Sequence, residues 1–199
     1  MIVDALHRRF VFGRRVRILA DRIAPLLPKD STILDVGCGD GRVAESVMHR
    51  RPDVRTTGVD VLARRHARIN VQLFDGAHLP FGDGAFDVAM FVDVLHHTDD
   101  PTVLLREAHR VAKYVILKDH TLRGVGARAT LAAMDWIGNA HHGVRLPYNY
   151  WTDERWREAF VDVGLEIVHW ESSLHMYPLP FSWTFDRYLH FIAVLSRLG

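Results

Sequence analysis

The chain of 199 residues has a single cysteine, Cys38, so no disulfide can staple it internally. Such sparing use of cysteine fits a reducing compartment, and a cytoplasmic location is expected. It lacks any apolar run of the roughly 18 residues that a membrane-spanning helix needs. The N-terminal stretch MIVDALHRRFVFGRRVRILA carries Asp4 and scattered arginines where a signal peptide would have an unbroken apolar core. A predominance of one charge sign is lacking too. The 25 Lys and Arg residues face 24 Asp and Glu, a formal net charge of +1, which argues against the whole molecule binding a polyanion. The arginines at 8, 9, 14, 15 and 17 fall around several helical faces and read as solvated. Internal repeats and low-complexity segments are absent. With 48% hydrophobic and 25% charged residues, the composition is that of one soluble domain over residues 1–199.

Hydrophobic periodicity lays out the elements. Residues 3–27 read as a helix with Val16, Leu19, Ile23 and Leu26 on one face. Thr32–Val36, Arg55–Val59, Asn70–Phe74, Phe86–Val94 and Tyr114–Leu117 read as five strands, with Leu165–Trp170 and His190–Leu195 as two more. Between them lie helices after Gly41, after the Asp99-Asp100-Pro101 start signal, over 127–137 ending at Gly138, and after Thr152, closed by Gly164. The segment between Asp60 and Asn70 has room for at most a turn or two. Strands alternating with helices predict a mostly parallel α/β sheet covered on both faces.

In such a sheet, ligands sit beyond the carboxyl ends of the strands. The residues gathered there are Asp35–Gly41, Asp60, Asp75 and Asp93. The loop Asp35-Val-Gly37-Cys38-Gly39-Asp40-Gly41 places glycine at every second position, which lets the backbone approach a ligand. A dinucleotide fingerprint would need glycine at position 42, and Arg42 stands there, so a nicotinamide-dependent oxidoreductase is disfavoured. Asp40 suits a cationic or zwitterionic ligand better than a pyrophosphate. Asp60 can accept two hydrogen bonds from a ribose diol. Asp75 can accept one from an adenine amino group, with Gly76 and Ala77 leaving room for the ring.

The segments ILDVGCGDG (33–41), GVD (58–60), FDGAHLPFGDGAFDVA (74–89) and VDVLHHTDDP (92–101) together resemble the class I S-adenosylmethionine-dependent methyltransferases. Within them the match is to the small-molecule branch that includes ubiquinone and menaquinone biosynthesis methyltransferases. The resemblance implies a Rossmann-like seven-stranded sheet whose last strand is antiparallel, and S-adenosyl-L-methionine as cofactor. It implies that Asp35, Gly37, Gly39 and Gly41 hold the methionine part, with Cys38 and Asp40 of the same loop also binding the cofactor. Asp60 would bind the ribose, Val61 would pack on adenine, and Asp75, Gly76 and Ala77 would meet the adenine edge. Asp93, Val94 and His96 would floor the site near the methyl group. The short 61–69 segment departs from the family pattern.

The acceptor side is sought in other residues. His96, His97 and His120 are candidate bases, since a histidine can take a proton near neutral pH. Residues 121–152 are expected to form an acceptor-side insertion, with Asp119, Asn139, His141, Tyr148 and Tyr150 facing a small organic molecule. Residues 1–30 are expected to form a helical lid. No metal is expected: no histidine pair has i, i+4 spacing, and adjacent histidines on a strand end should point apart. No nucleic acid is expected either, because charge is balanced, no recognition domain is added and no NPPY-type tetrapeptide follows the fourth strand. The alternatives are a protein or RNA methyltransferase and a catalytically silent S-adenosylmethionine-binding domain.

Overall fold

The computed structural model describes residues 13–62, 64, 66–139 and 146–198. Seven strands form one sheet: β1 (Thr32–Val36), β2 (Arg55–Asp60), β3 (Val71–Leu73), β4 (Phe86–Val92), β5 (Ala112–His120), β6 (Leu165–Glu171) and β7 (His190–Arg197). Their order across the sheet is β3-β2-β1-β4-β5-β7-β6. β7 runs antiparallel to both of its neighbours, and the other strands are parallel to one another. The sheet reverses direction of growth between β1 and β4, which opens a crevice at their carboxyl ends.

Helices cover both faces, as the alternation predicts. On one side α1 (Gly13–Ile23) and α2 (Arg42–Arg50) pack Leu19, Ile23, Ala44 and Val47 against Ile33, Val88, Met90 and Ile116. On the other, α3 (Pro101–Val111) and α5 (Asp153–Asp162) pack Leu104, Leu105, Trp156 and Phe160 against Leu34, Val36, Phe91 and Leu117. Successive strand residues serve opposite layers, because side chains alternate along a strand. α4 (Ala127–Asn139) and the short α6 (Ser182–Phe185) lie in the connections that follow β5 and β6. Asp100 caps α3 by accepting from Thr102 N, with Pro101 at the first turn, and Thr152 caps α5 by accepting from Arg155 N.

Several boundaries differ from expectation for identifiable reasons. The first helix is described from Gly13 to Ile23 and tightens into a 3-10 turn over Ala24–Leu26; its expected start lies outside the described residues. β4 stops at Val92 because Asp93 adopts φ +57°. β5 runs on to His120, beyond the expected Leu117. Its charged end is paired by β7, with Lys118 opposite Ile192, Asp119 opposite Phe191 and His120 opposite His190. Gly138 does not stop α4, which continues to Asn139. The described residues of the 61–69 segment form neither helix nor strand.

Candidate active site

The glycine loop bridges the end of β1 and the start of α2. Gly37 N and Cys38 N both donate to Val59 O, at 2.8 and 3.2 Å, which ties the loop to β2. Gly37 has φ +71°, and a Cβ there would fall 2.7 Å from Cγ2 of Val94, so only glycine fits where β1 and β4 converge. Gly39 also has a left-handed φ, +58°, yet a Cβ there would meet nothing within 4 Å. One face of the loop backbone is therefore open to a ligand.

Asp60 is buried, and its carboxylate is aimed by two backbone amides. Oδ2 accepts from Gly39 N and Oδ1 from Leu62 N, each at 2.8 Å. Each oxygen retains a further lone pair for a ligand hydroxyl. Asp35 is buried beside it. Burial pushes the Asp35 carboxyl up to about 7, and the Asp60 charge adds to the effect. Two carboxylates held together under these conditions favour a positively charged ligand. The open glycine face and this carboxylate pair thus fit the zwitterionic, sulfonium-bearing S-adenosylmethionine. Val61 is exposed at this edge and adjoins Gly76, where a Cβ would lie 3.2 Å from Val61 Cγ1. Asp75 is exposed and accepts from Ala77 N and His78 N at 2.8 and 2.7 Å, the His78 amide first among the causes that hold its carboxyl low. Asp40 is paired to Arg42 at 2.7 Å. The thiol of Cys38 is pushed up by burial and then by Asp35, which makes it an inert wall of the loop.

Beyond Val94, a buried network of charges occupies the ends of β4, β5 and β7. Asp93 accepts from Lys118 Nζ and from an Arg15 nitrogen. Burial works against its ionisation, but Lys118 and Arg15 outweigh it and hold the carboxyl well below the usual range. Lys118 Nζ also lies 3.2 Å from His190 Nδ1, while His190 Nε2 lies 2.8 Å from Phe185 O. That assigns the proton to Nε2 and leaves Nδ1 to accept from the lysine.

The same network continues to the histidines. His96 sits in a 3-10 turn, Leu95–His97, and its Nδ1 lies 2.5 Å from Oδ1 of Asp119. Asp119 is fully buried and also accepts from Leu95 N at 3.0 Å and His120 N at 2.7 Å. On the far side of the ring, His96 Nε2 stands 3.5 Å from Asp135 Oδ2 without hydrogen-bond geometry, and Tyr150 Oη donates to Asp135. Burial disfavours the charged imidazole, yet Asp119 and then Asp135 overcome this and raise His96 to about 10. His97 moves the other way, to about 4, through burial and the neighbouring His96. His120 is lowered by burial, by Lys118 and by His96, and its Nδ1 is 3.2 Å from His96 Nδ1. A neutral His120 therefore adjoins a charged His96.

The structure brings together most of the expected residues. Asp35, Gly37, Cys38, Gly39 and Asp60 converge on one side, and Asp93, His96, His97, His120, Asp119 and Tyr150 on the other. Val94 links the two through its contact with Gly37. Tyr148, with φ +55°, lies 6.4 Å ring to ring from Tyr150. Asn139 ends α4, and His141 lies outside the described residues. Two expectations need correction. Arg15 is not simply solvated, because it reaches inward to Asp93. Adjacent histidines do not point apart here: the 3-10 turn brings the rings of His96 and His97 to 4.0 Å with a 48° tilt. Lys118, Asp135 and His190 were not singled out as site residues by sequence. A lysine inside the apolar strand VILKDH was the available signal, since a buried lysine demands a partner.

The comparisons agree with this architecture. A family model described as a methyltransferase domain matches residues 6–170. The 27-O-demethylrifamycin SV methyltransferase of Amycolatopsis mediterranei is 32% identical over 110 residues, 48% of this chain and 40% of that protein. A ubiquinone biosynthesis O-methyltransferase of Pectobacterium carotovorum is 34% identical over 120 residues, 54% of this chain and 48% of that protein. The matched region thus spans under half the length of either relative. Among solved structures, a chain of the complex between the Haloferax volcanii Trm112 methyltransferase activator and a methyltransferase superposes with a TM-score of 0.74 at 17% identity, covering 98% of this chain and 93% of that one. An S-adenosylmethionine-dependent methyltransferase of Mesorhizobium loti gives 0.68 at 17% identity, covering 89% and 96%. Among the described residues, no helix is long and apolar enough to cross a membrane. A sheet of this order, a glycine loop open to a cationic ligand and a family match over most of the sequence lead to one conclusion: this chain belongs to the methyltransferase-domain family.

Proposed function

We propose that this chain transfers the methyl group of S-adenosylmethionine to a hydroxyl of a small organic acceptor, as one catalytic domain acting in the cytoplasm. The observation that carries the reading is the buried acid–base network, which begins one residue from Val94 and so directly adjoins the cofactor loop. A structural strand end has no need of three buried carboxylates and their cations, because burying charge is costly unless it is used or fully paired.

The cofactor supplies an activated methyl group on sulfur. The chain's part is to orient the acceptor and to take its proton. His120 suits the second task, because its lowered pKa keeps it neutral at pH 7 and its ring stands against the His96–Asp119 pair. Asp119 positions His96 rather than touching an acceptor, since it is fully buried under that ring. Tyr148 and Tyr150 supply the aromatic side of the acceptor pocket. Asn149 anchors this segment by donating to Thr98 O and Asp99 O at 3.1 Å each. Arg15 of α1 ties the N-terminal helix to Asp93 at the edge of this network.

The O-methyltransferase reading is supported by the two relatives, a 27-O-demethylrifamycin SV methyltransferase and a ubiquinone biosynthesis O-methyltransferase. The test is release of S-adenosylhomocysteine when the purified chain is supplied with S-adenosylmethionine and a panel of phenols, hydroxyquinones and macrocyclic alcohols. Turnover of one class that falls at least about a hundredfold in His120→Gln supports the reading. Cofactor binding with no turnover of the panel, a metabolite extract, peptides or RNA favours a silent binding domain instead.

A further inference from the structure

Two ring nitrogens in the molecule are buried without a hydrogen-bond partner among the described residues, and they belong to adjacent residues: His96 Nε2 and His97 Nδ1. Both side chains share a third neighbour, Asp135. One ligand atom from each of His96, His97 and Asp135 lies within 4.8 Å of one from each of the others. His96 Nε2 and Asp135 Oδ2 are already 3.5 Å apart. In a tetrahedral site with metal–ligand bonds of about 2.0–2.1 Å, ligand atoms are separated by about 3.3 Å.

We propose that His96, His97 and Asp135 bind a divalent transition-metal ion of the Zn²⁺ class, the ion displacing to solvent the proton that Nε2 of His96 carries without it. Two imidazoles and one carboxylate select such an ion over Mg²⁺ or Ca²⁺, which prefer oxygen ligands. Asp119 completes the arrangement from behind. It holds Nδ1 of His96, fixing the ring so that Nε2 faces the ion, in the pattern by which carboxylates orient metal-binding histidines. Tyr150 performs the same service for Asp135 through its hydroxyl. Three protein ligands leave a fourth position on the ion. An acceptor oxygen is the group that would occupy it. His120 lies on the Asp119 side of His96, so its proposed role as base is compatible with an ion on the opposite side.

The experiment is titration of the chelator-treated, full-length chain with Zn²⁺ alone by calorimetry, without cofactor or acceptor. One ion per chain is expected, with a dissociation constant of about 10 µM or tighter. His97→Ala and Asp135→Asn should each weaken binding at least about tenfold, and Asp119→Asn about 10–100-fold. His49→Ala, on the exposed surface of α2, should leave it unchanged. Far-UV circular dichroism shows whether each variant folds. Independently of any variant, the Co²⁺ adduct of the unaltered chain should show visible d–d absorption and hyperfine-shifted proton resonances from two histidines. Absence of stoichiometric binding, binding unaffected by His97→Ala and Asp135→Asn, or a Co²⁺ spectrum without histidine ligands would overturn the assignment. Because neither cofactor nor acceptor is present, this outcome is separate from the success or failure of the methyl-transfer reading.

Discussion

Nδ1 of His96 lies 2.5 Å from Oδ1 of Asp119, and the two side chains are 1% and 0% exposed. A pair this deeply buried cannot lose one member to water. Asp119→Asn leaves the imidazole without its counter-charge, and breaking a buried pair from one side costs about 3–5 kcal/mol. Urea denaturation at pH 7 should show a loss of this size. An effect below about 1 kcal/mol would mean that the network does not hold the site together.

The glycines at 37 and 39 share a left-handed conformation but not a neighbourhood, so alanine should separate their roles. Gly37→Ala drives a methyl group into Val94 and should lower stability by about 2 kcal/mol or more, partly restored by adding Val94→Ala. Gly39→Ala meets open space and should cost only the conformational penalty, about 1–2 kcal/mol. It should nevertheless weaken S-adenosylhomocysteine binding at least tenfold, because the methyl occupies the face the ligand approaches. Melting temperature and calorimetry on the two variants decide the matter.

The Asp35 carboxyl carries a pH signature. Its folded pKa of about 7 lies above the ordinary 3.8. Between these values the unfolded chain has released the proton and the folded chain still holds it. Stability contributed by this group therefore falls as pH rises through that window, and levels off above pH 7. Denaturation of the wild type and of Asp35→Asn from pH 4.5 to 8 isolates the effect. The variant should gain on the wild type as pH rises, and should bind cofactor more weakly. Parallel stability curves would show that Asp35 is ionised throughout.

Lys118 is a fully buried cation between Asp93 and His190. Lys118→Met keeps the aliphatic volume and removes the charge, leaving Asp93 to Arg15 alone. The expected cost is about 3 kcal/mol. Arg15→Ala in the same background should cost more than the two single losses added, because the carboxylate then loses both of the cations that hydrogen-bond to it. A double-mutant cycle measured by thermal denaturation tests this coupling.

The elements facing the cofactor were legible because each carries a local signal. Thr32–Val36 is apolar and ends in glycines, Asp60 and Asp75 close the next two strands, and Asp100-Pro101 announces α3. These depend on strand ends and caps, which short windows of sequence encode. The acceptor side is different. Lys118, Asp119 and His120 look like a polar loop until β7 pairs with them from 70 residues downstream. Likewise Asp135 reads as one residue on a helix until Tyr150 and His96 close around it. The mutual approach of His96 and His97 comes from the 3-10 turn that follows Asp93, where the strand ends early. Such tertiary juxtapositions leave no periodic trace in the sequence.

The antiparallel insertion of β7 between β5 and β6 also fixes an order of events. During synthesis the glycine loop, β2 and β4 emerge early and can pair among themselves. Lys118 and His120 must wait for His190–Arg197 before their strand has its second neighbour. Until then β5 is a sheet edge carrying charged groups that lack their final partners, and such edges invite mispairing. The cofactor half of the molecule can thus take shape on the nascent chain, whereas β5 gains its second neighbour, and Lys118 its contact with His190, only when β7 slides into the sheet.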